Sequence, residues 1–445
     1  MKAIDLARIL KGSLEGNPEA EFSGFSIDSR NVREGDVFVA LKGERHDGHN
    51  FIWDAFYRGA VGAVSEKDVS VPDGKFVIKV GSCLEALRDI ARFRRKNFKG
   101  TVIGVAGSVG KTTTKELIHH LLSCVTPSYK SEGNLNSQIG LPLVMANMPL
   151  NVDYAVLEIG ASRRGDVLNL TKIAEPRIRV ITAIGEEHLE TFGSVEDVVY
   201  GNGEIFYHFG KEDWAVLPAS VSKYYQLPEG RRITFGKDGD IKADHIRLSL
   251  EGVEFESFGE RFSLPVLSVG IVENVLASFG VLRSLSYDPR DFRTALSGFK
   301  SPKGRMNILN FGDFYVIDDT YNANPPSVRN AIDTLHNLKT DSRKVVVLGD
   351  MLELGEESIK LHSQIGSYLK EKEVDYAIFY GDHMFYACKE FVRRGGRGVF
   401  LRSKDAVFEE MLKWMRDKNI ILLKGSRGMK METLLIRIRE FTHHE

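Results

Sequence analysis

Hydrophobic positions in this chain come mostly in short unbroken runs, each closed by glycine, proline or polar turn residues. Runs at Thr101–Ala106, Tyr154–Ile159 and Ile178–Ile184 predict strands of a parallel sheet buried on both faces. A glycine-rich turn after the first of them leads into a predicted helix, Lys111–Ser123. The patch from Ile233 to Leu264 alternates with shorter strands and reads as antiparallel decoration. Upstream, strands are expected at Asp36–Leu41, Gly62–Ser65 and Lys75–Val80, before a helix from Ser82 to Asn97. That helix carries Arg88, Arg92, Arg94, Arg95 and Lys96, which read first as a solvated face. The last third repeats strand–helix alternation. Strands are expected at Phe314–Asp318, Lys344–Leu348, Tyr376–Tyr380, Gly398–Leu401 and Ile420–Leu423. Helices are expected at Ser327–Asn337, Glu357–Lys370, Met384–Arg393, Lys404–Arg416 and Met429–Phe441, a doubly wound α/β pattern.

These textures divide the chain into three α/β domains, residues 1–98, 99–300 and 301–445, with Ser301-Pro302-Lys303-Gly304 as a joint. A length of 445 residues fits that count, at roughly 150 residues per domain. Apolar residues at 42% and charged residues at 27% exclude disorder as the main state. A net charge of -1 argues against a protein built to wrap nucleic acid. No apolar run approaches the roughly 18 residues of a membrane span. Met1 to Gly12 mixes charge with apolar residues, so no secretory signal is expected. Cys83, Cys124 and Cys388 are scattered and odd in number, which predicts small buried hydrophobes in a reducing cytoplasm.

The strongest chemical signal is Gly104-Val105-Ala106-Gly107-Ser108-Val109-Gly110-Lys111-Thr112-Thr113-Thr114, between a strand and a helix. Glycines let backbone N–H groups turn inward on phosphate oxygens, and the helix N-terminus adds positive charge. Lys111 is placed to reach the β- and γ-phosphates of a nucleoside triphosphate, and Thr112 to hold its magnesium. The usual loop wants glycine at 105; here the glycines stand at 104, 107 and 110. Glu158 ends one central strand and His188 follows another, at the edge where open α/β sheets bind ligands.

With its Gly-x-x-Gly-x-x-Gly-Lys-Thr-Thr spacing, the central segment resembles the Mur ligases, which form amide bonds on nucleotide-linked peptidoglycan precursors. Three further stretches agree: Gly133-Asn134-Leu135-Asn136-Ser137-Gln138-Ile139-Gly140-Leu141-Pro142, Leu157-Glu158-Ile159-Gly160-Ala161, and Ile184 through His188-Leu189-Glu190 to Ser194. Asp28-Ser29-Arg30, Gly35–Leu41 and Gly43-Glu44-Arg45-His46-Asp47-Gly48-His49-Asn50-Phe51 are similar to the uridine-nucleotide domain of the MurE and MurF types. Asp-Ser-Arg alone also reads as a capped turn. Asp318-Asp319-Thr320-Tyr321-Asn322-Ala323-Asn324-Pro325, Leu348–Gly355 with His362, and Lys424-Gly425-Ser426-Arg427-Gly428-Met429 look like the MurF type. The Asp-Asn-Pro-Arg string of the MurE type is absent.

The resemblance implies a small uridine-nucleotide domain, a central phosphate-loop ATPase and a C-terminal Rossmann-like domain. It implies ATP and magnesium, with UDP-N-acetylmuramoyl-tripeptide and D-alanyl-D-alanine as substrates. A carboxylate would become an acyl phosphate, which the dipeptide amine then attacks. Lys111, Glu158, His188 and Arg305 would be catalytic, and Thr112, Glu158 and His188 would hold metal. Gly107, Ser108, Val109, Gly110, Lys111, Thr112, Thr113, Asn274, Arg305, Asp318 and Asp319 would bind nucleotide. Ser29, Arg30, Asp47, Asn134, Asn136, Tyr321, Asn322 and Asn324 would bind the other substrates. The chain is expected to act as a cytoplasmic monomer, touching neither nucleic acid nor membrane. Asn324 also reads as a helix cap before Pro325. Asn202 stands where the family usually carries a lysine, often carbamylated, and Gly270 and Ile271 depart from its Gly-x-His-Asn string. The runners-up are a MurE-type ligase, folylpolyglutamate synthetase, which lacks the uridine-type domain, and a non-catalytic nucleotide switch.

Overall fold

Alternation within the first strands sets the layers of the N-terminal sheet. Val37, Val39, Val64 and Ile78 point to one face, where they pack on Leu6, Leu87 and Ile90. Phe38, Ala63 and Val77 point to the other, against Ile52 and Phe56. Each Val, Leu, Ile or Phe side chain among them contributes roughly 1.5–3 kcal/mol on burial. The computed structural model describes residues 1–44, 46–227 and 231–443, so Arg45 of the uridine-type string lies outside the described residues.

The chain divides into two compact units. The first comprises residues 1–104, 126–160 and 166–177; the second comprises 105–125, 161–165 and 178–445. The first holds β1 (Ser13–Gly16), β2 (Gly24–Ser26), β3 (Asp36–Val39), β4 (Gly62–Ser65) and β5 (Phe76–Lys79). Their order is β1-β5-β4-β3-β2, parallel except for β1. The unit also contains most of β6 (Thr101–Ala106) and the parallel pair β7 (Ser128–Lys130) and β8 (Tyr154–Glu158).

The basic helix, Cys83–Asn97, starts where the Ser82 hydroxyl accepts the Glu85 N–H at 3.3 Å. Two of its arginines do not sit on a solvated face. Arg94 donates to the Met148 carbonyl at 2.7 Å, and Arg95 to those of Ala174 and Glu175 at 2.8 and 2.9 Å. They satisfy carbonyls left over at the ends of the helices Gly140–Ala146 and Asp166–Ala174.

The second unit continues with β9 (Ile178–Ile181), β10 (Trp214–Pro218) and β11 (Arg232–Phe235), all parallel. The expected antiparallel patch is therefore shorter than its hydrophobic pattern. Its first strand joins the parallel sheet, and only β12 (Asp244–Ser249), β13 (Gly252–Ser257) and β14 (Glu260–Leu264) form an antiparallel sheet. Next come β15 (Asn307–Asn310), β16 (Tyr315–Asp319), β17 (Lys344–Gly349), β18 (Tyr376–Tyr380), β19 (Gly398–Leu401) and β20 (Ile420–Lys424). Their order is β15-β16-β20-β17-β18-β19, with β15 alone antiparallel. β20, the last strand in sequence, lies between β16 and β17, so the carboxyl ends of all three share one edge.

Cys83 and Cys388 are buried as expected, but Cys124 is exposed just past the end of its helix. Among the described residues no helix is long and apolar enough to cross a membrane.

Candidate active site

The turn after β6 is built from glycine for two physical reasons. Gly107 has φ +134° and Gly110 φ +88°, backbone that side-chain-bearing residues rarely adopt. A Cβ on Gly107 would lie 2.1 Å from Thr182 Oγ1, and one on Gly110 2.3 Å from Asn274 Oδ1. The loop is thus pressed against the end of β9 and against the helix Gly270–Ser284, which carries Asn274. The Ser108 and Val109 N–H groups donate to the Ala183 carbonyl at 2.8 and 3.1 Å, and the Ser108 hydroxyl to the Gly185 carbonyl at 3.3 Å. Gly110 caps the helix Lys111–Leu122, whose first turn includes Thr112 and Thr113. That helix end presents N–H groups and partial positive charge to an anion.

Cationic side chains gather over the same turn. Lys111 Nζ donates to the Gly107 carbonyl at 2.5 Å and pairs with Glu187 Oε1 at 3.1 Å. Arg305 Nη2 donates to the Thr112 hydroxyl at 2.9 Å, and its guanidinium stacks 4.2 Å from the centre of the Tyr321 ring. Next to Lys111's partner, Glu186 takes Arg329 Nη2 on both oxygens, at 2.9 and 2.7 Å.

His188 sits in left-handed backbone, φ 48°, and so does its partner Glu353, φ 63°. Their Nδ1–Oε2 distance is 2.5 Å, and the Glu353 carbonyl accepts the Glu190 N–H at 3.2 Å. Burial opposes charging of His188. The hydrogen bond to Glu353 and the charges of Glu187 and Glu353 outweigh it, and His188 is held above the ordinary histidine value. Glu353 is correspondingly lowered by its hydrogen bond to His188.

At the shared edge of β16 and β20, the strand register sets Asp319 beside Lys424. Lys424 Nζ lies 2.5 Å from Asp319 Oδ2 and 2.9 Å from the Asn322 carbonyl. Asp319 Oδ1 also accepts the Met306 N–H at 3.3 Å. Asp318 turns inward to accept the Thr320 N–H and hydroxyl at 3.2 and 2.6 Å. Asn322 Oδ1 accepts the Ala323 N–H at 2.9 Å. Asn324 caps the helix Pro325–Asn337, accepting the Ser327 N–H at 3.0 Å. Tyr321 lies under both Arg305 and Arg427, the latter 5.5 Å away.

The first unit carries the remaining expected residues. Glu158, 2% exposed, accepts Asn136 Nδ2 at 2.7 Å, and the Asn136 carbonyl accepts the Gly160 N–H at 2.8 Å. The Asn134 carbonyl accepts the Asn136 N–H at 2.8 Å, so Asn134 and Asn136 belong to one turn. Arg30 forms a two-pronged pair with Asp28 at 2.9 and 2.8 Å, beside the buried Ser29. Asp47 binds Lys67 Nζ at 2.7 Å and His49 Nδ1 at 2.6 Å, and those partners hold its carboxyl well below the usual range.

Among the described residues no group of three or more His, Cys, Asp or Glu side chains could hold a metal by itself. As chemical types the Glu158 carboxylate and Thr112 hydroxyl are hard oxygen ligands suited to magnesium; Glu158 belongs to the first unit, Thr112 and His188 to the second, where His188 is paired with Glu353. Sequence reasoning missed Glu186, Glu187, Glu353 and Lys424, although each stands inside a quoted string. Arg329, inside a helix, had no signal at all.

Comparison with known proteins places these features in a family. Residues 21–95 match the description "Mur ligase family, catalytic domain", 105–282 "Mur ligase middle domain", and 304–427 "Mur ligase, glutamate ligase domain". The chain is 32% identical to a UDP-N-acetylmuramoyl-tripeptide–D-alanyl-D-alanine ligase of Bacillus subtilis, over 97% of this chain and 96% of that one. The corresponding Escherichia coli ligase is 28% identical over 98% and 97%. A crystal structure of MurF from Acinetobacter baumannii superposes with a TM-score of 0.90 at 29% identity, covering 99% of this chain and 98% of that one. MurF of Thermotoga maritima, solved in complex with ADP, gives 0.83 at 31% identity over 95% and 98%. The chain therefore belongs to the Mur ligase family and, within it, to the MurF type.

Proposed function

We propose that this chain is an ATP-dependent ligase that adds D-alanyl-D-alanine to UDP-N-acetylmuramoyl-tripeptide. The reaction passes through an acyl phosphate and releases ADP and phosphate, in cytoplasmic synthesis of peptidoglycan precursors. The chain works as a monomer. One observation carries the reading: Lys111, Thr112, Arg305 and Tyr321 converge on a glycine-built helix N-terminus, in a chain similar end to end to ligases of that name.

The division of labour follows the three regions 1–98, 99–300 and 301–445. Ser29, Arg30 and Asp47 bind the uridine-nucleotide substrate, and Asn134 and Asn136 lie along its peptide. Gly107, Ser108, Val109, Gly110, Lys111, Thr112 and Thr113 wrap the phosphates of ATP, Asn274 contacts adenine, and Asp318 or Asp319 contacts ribose. Tyr321, Asn322 and Asn324 line the dipeptide side. Thr112, Glu158 and His188 would hold magnesium, which when bound neutralises phosphate charge.

A carboxylate is a poor electrophile, so the tripeptide's terminal carboxylate first attacks the γ-phosphorus and ADP leaves. Positioning and charge neutralisation by Lys111 and Arg305 supply most of the catalysis. The dipeptide amine, having lost a proton, then attacks the acyl carbon, and phosphate departs. The test is phosphate release measured with each substrate omitted in turn. Release only when tripeptide and dipeptide are both present supports a ligase. Release that ignores the dipeptide supports a nucleotide switch instead.

A further inference from the structure

Asn202 is 1% exposed, yet nothing in the reaction outlined above uses it. It lies near the end of the helix Val195–Gly203, whose start is capped by the Ser194 hydroxyl. Both ends of its amide are engaged. Oδ1 accepts the Gly107 N–H at 2.8 Å, and Nδ2 donates to the Val198 carbonyl one turn back at 3.0 Å. The second bond fixes which end of the amide faces the loop, because only an acceptor can meet an N–H group.

Gly107 is the pivot of the phosphate loop. On one side Thr182 Oγ1 stands where a Cβ would be. On the other, Asn202 holds its N–H. Its carbonyl then accepts the ammonium of Lys111 at 2.5 Å. Anchoring the Gly107 N–H fixes the Ala106–Gly107 peptide plane, while the next plane, which carries the Gly107 carbonyl, is held by the Ser108 N–H on the Ala183 carbonyl at 2.8 Å. We infer that Asn202 is a positioning residue for the nucleotide: by holding the Gly107 N–H it anchors the first peptide of the phosphate loop, on which the glycines and Lys111 that follow are built. This rests on the loop being the ATP site proposed above.

The side chain also has to offer both an acceptor and a donor. An amide does so, accepting from Gly107 and donating to Val198. A carboxylate of the same shape would accept the Gly107 N–H equally well. It would also set a second oxygen against the Val198 carbonyl, where no donor would remain. A loop already shaped before ATP arrives saves the ordering cost at binding, so the effect falls on affinity more than on the chemical step.

The test compares wild type, Asn202→Ala and Asn202→Asp by ADP and ATP binding, by steady-state kinetics and by thermal melting. The expected result is an ATP KM and nucleotide Kd about tenfold higher in Asn202→Ala, with kcat within about threefold, and a larger loss of affinity in Asn202→Asp at pH 8. Melting that falls while nucleotide Kd stays at the wild-type value would overturn the inference, since Asn202 would then serve only packing. If the variants do not fold, hydrogen exchange on the wild type decides. A Gly107 amide exchanging as fast as exposed amides overturns the anchor, and a protected one supports it. A wild type that binds no nucleotide would instead sink the proposed function.

Discussion

Asp319 and Lys424 offer the most quantitative test of how the acceptor edge is held. The pair spans adjacent strands β16 and β20 at 2.5 Å, with side chains 13% and 2% exposed. Removing either partner strands the other charge in a dry place, which typically costs about 3–5 kcal/mol. Asp319→Leu also strips the Met306 N–H of its acceptor, and Lys424→Met frees the Asn322 carbonyl. Replacing both charges by apolar groups removes the unpaired charge, so the double variant Asp319→Leu/Lys424→Met is expected to recover most of the loss. The coupling between the sites should be about 2 kcal/mol or more, far outside the scatter of independent mutations. Urea unfolding of the four proteins measures it, and dipeptide KM reports whether the Tyr321–Asn324 turn has loosened. Single losses below about 1 kcal/mol, or a double variant equal to the sum of the singles, would refute the reasoning.

Other expectations follow from the same geometry. Lys111→Ala should lower ATP turnover by about a hundredfold or more, since a charge aimed at the phosphates is lost; near-normal turnover would remove Lys111 from the phosphate site. Glu158→Ala should shift the magnesium titration of activity to higher concentration, and an unchanged titration would take Glu158 out of the metal shell. His362 is fully buried; its Nε2 accepts the Met351 N–H at 3.0 Å, and Nδ1 lies 2.7 Å from the Ser358 carbonyl. Burial, the largest cause, lowers its pKa. The unfolded chain therefore binds a proton below about pH 6.5 that the folded chain refuses, so stability falls as pH drops from there toward the folded value. Melting from pH 8 to 5 should show this acid loss in wild type and a flatter profile in His362→Gln; identical slopes would contradict it.

The sequence reading succeeded where chemistry is local and stumbled where it depends on a distant partner. Thr101–Ala106, Gly62–Ser65 and Tyr376–Tyr380 are legible to the residue because buried parallel strands must be continuous apolar runs, and the half-buried edge strand Gly398–Leu401 is legible from its apolar run between turn residues. β7 and β15 are not. Ser128–Lys130 and Asn307–Asn310 are half-exposed and partly polar, so no hydrophobic run announces them. β11 was placed in the wrong sheet because a short strand's pattern does not reveal its neighbour's direction. At the site, the glycines at 107 and 110 and the lysine after them were readable from spacing alone. The pairs His188–Glu353, Asp319–Lys424 and Gly107–Asn202 were not, since each joins residues far apart in sequence. Arg94 and Arg95 show the same limit: a basic run looks solvated until helix ends that need donors are folded beside it.

The central claim is that the lysine-bearing loop activates a carboxylate for amide formation. Its most direct test is the mass of the product formed from ATP, magnesium, UDP-N-acetylmuramoyl-tripeptide and D-alanyl-D-alanine by the wild-type chain. A nucleotide-linked pentapeptide, formed with one phosphate released per bond and absent with Lys111→Ala, is the predicted result. ATP consumed without any lengthened peptide would contradict it.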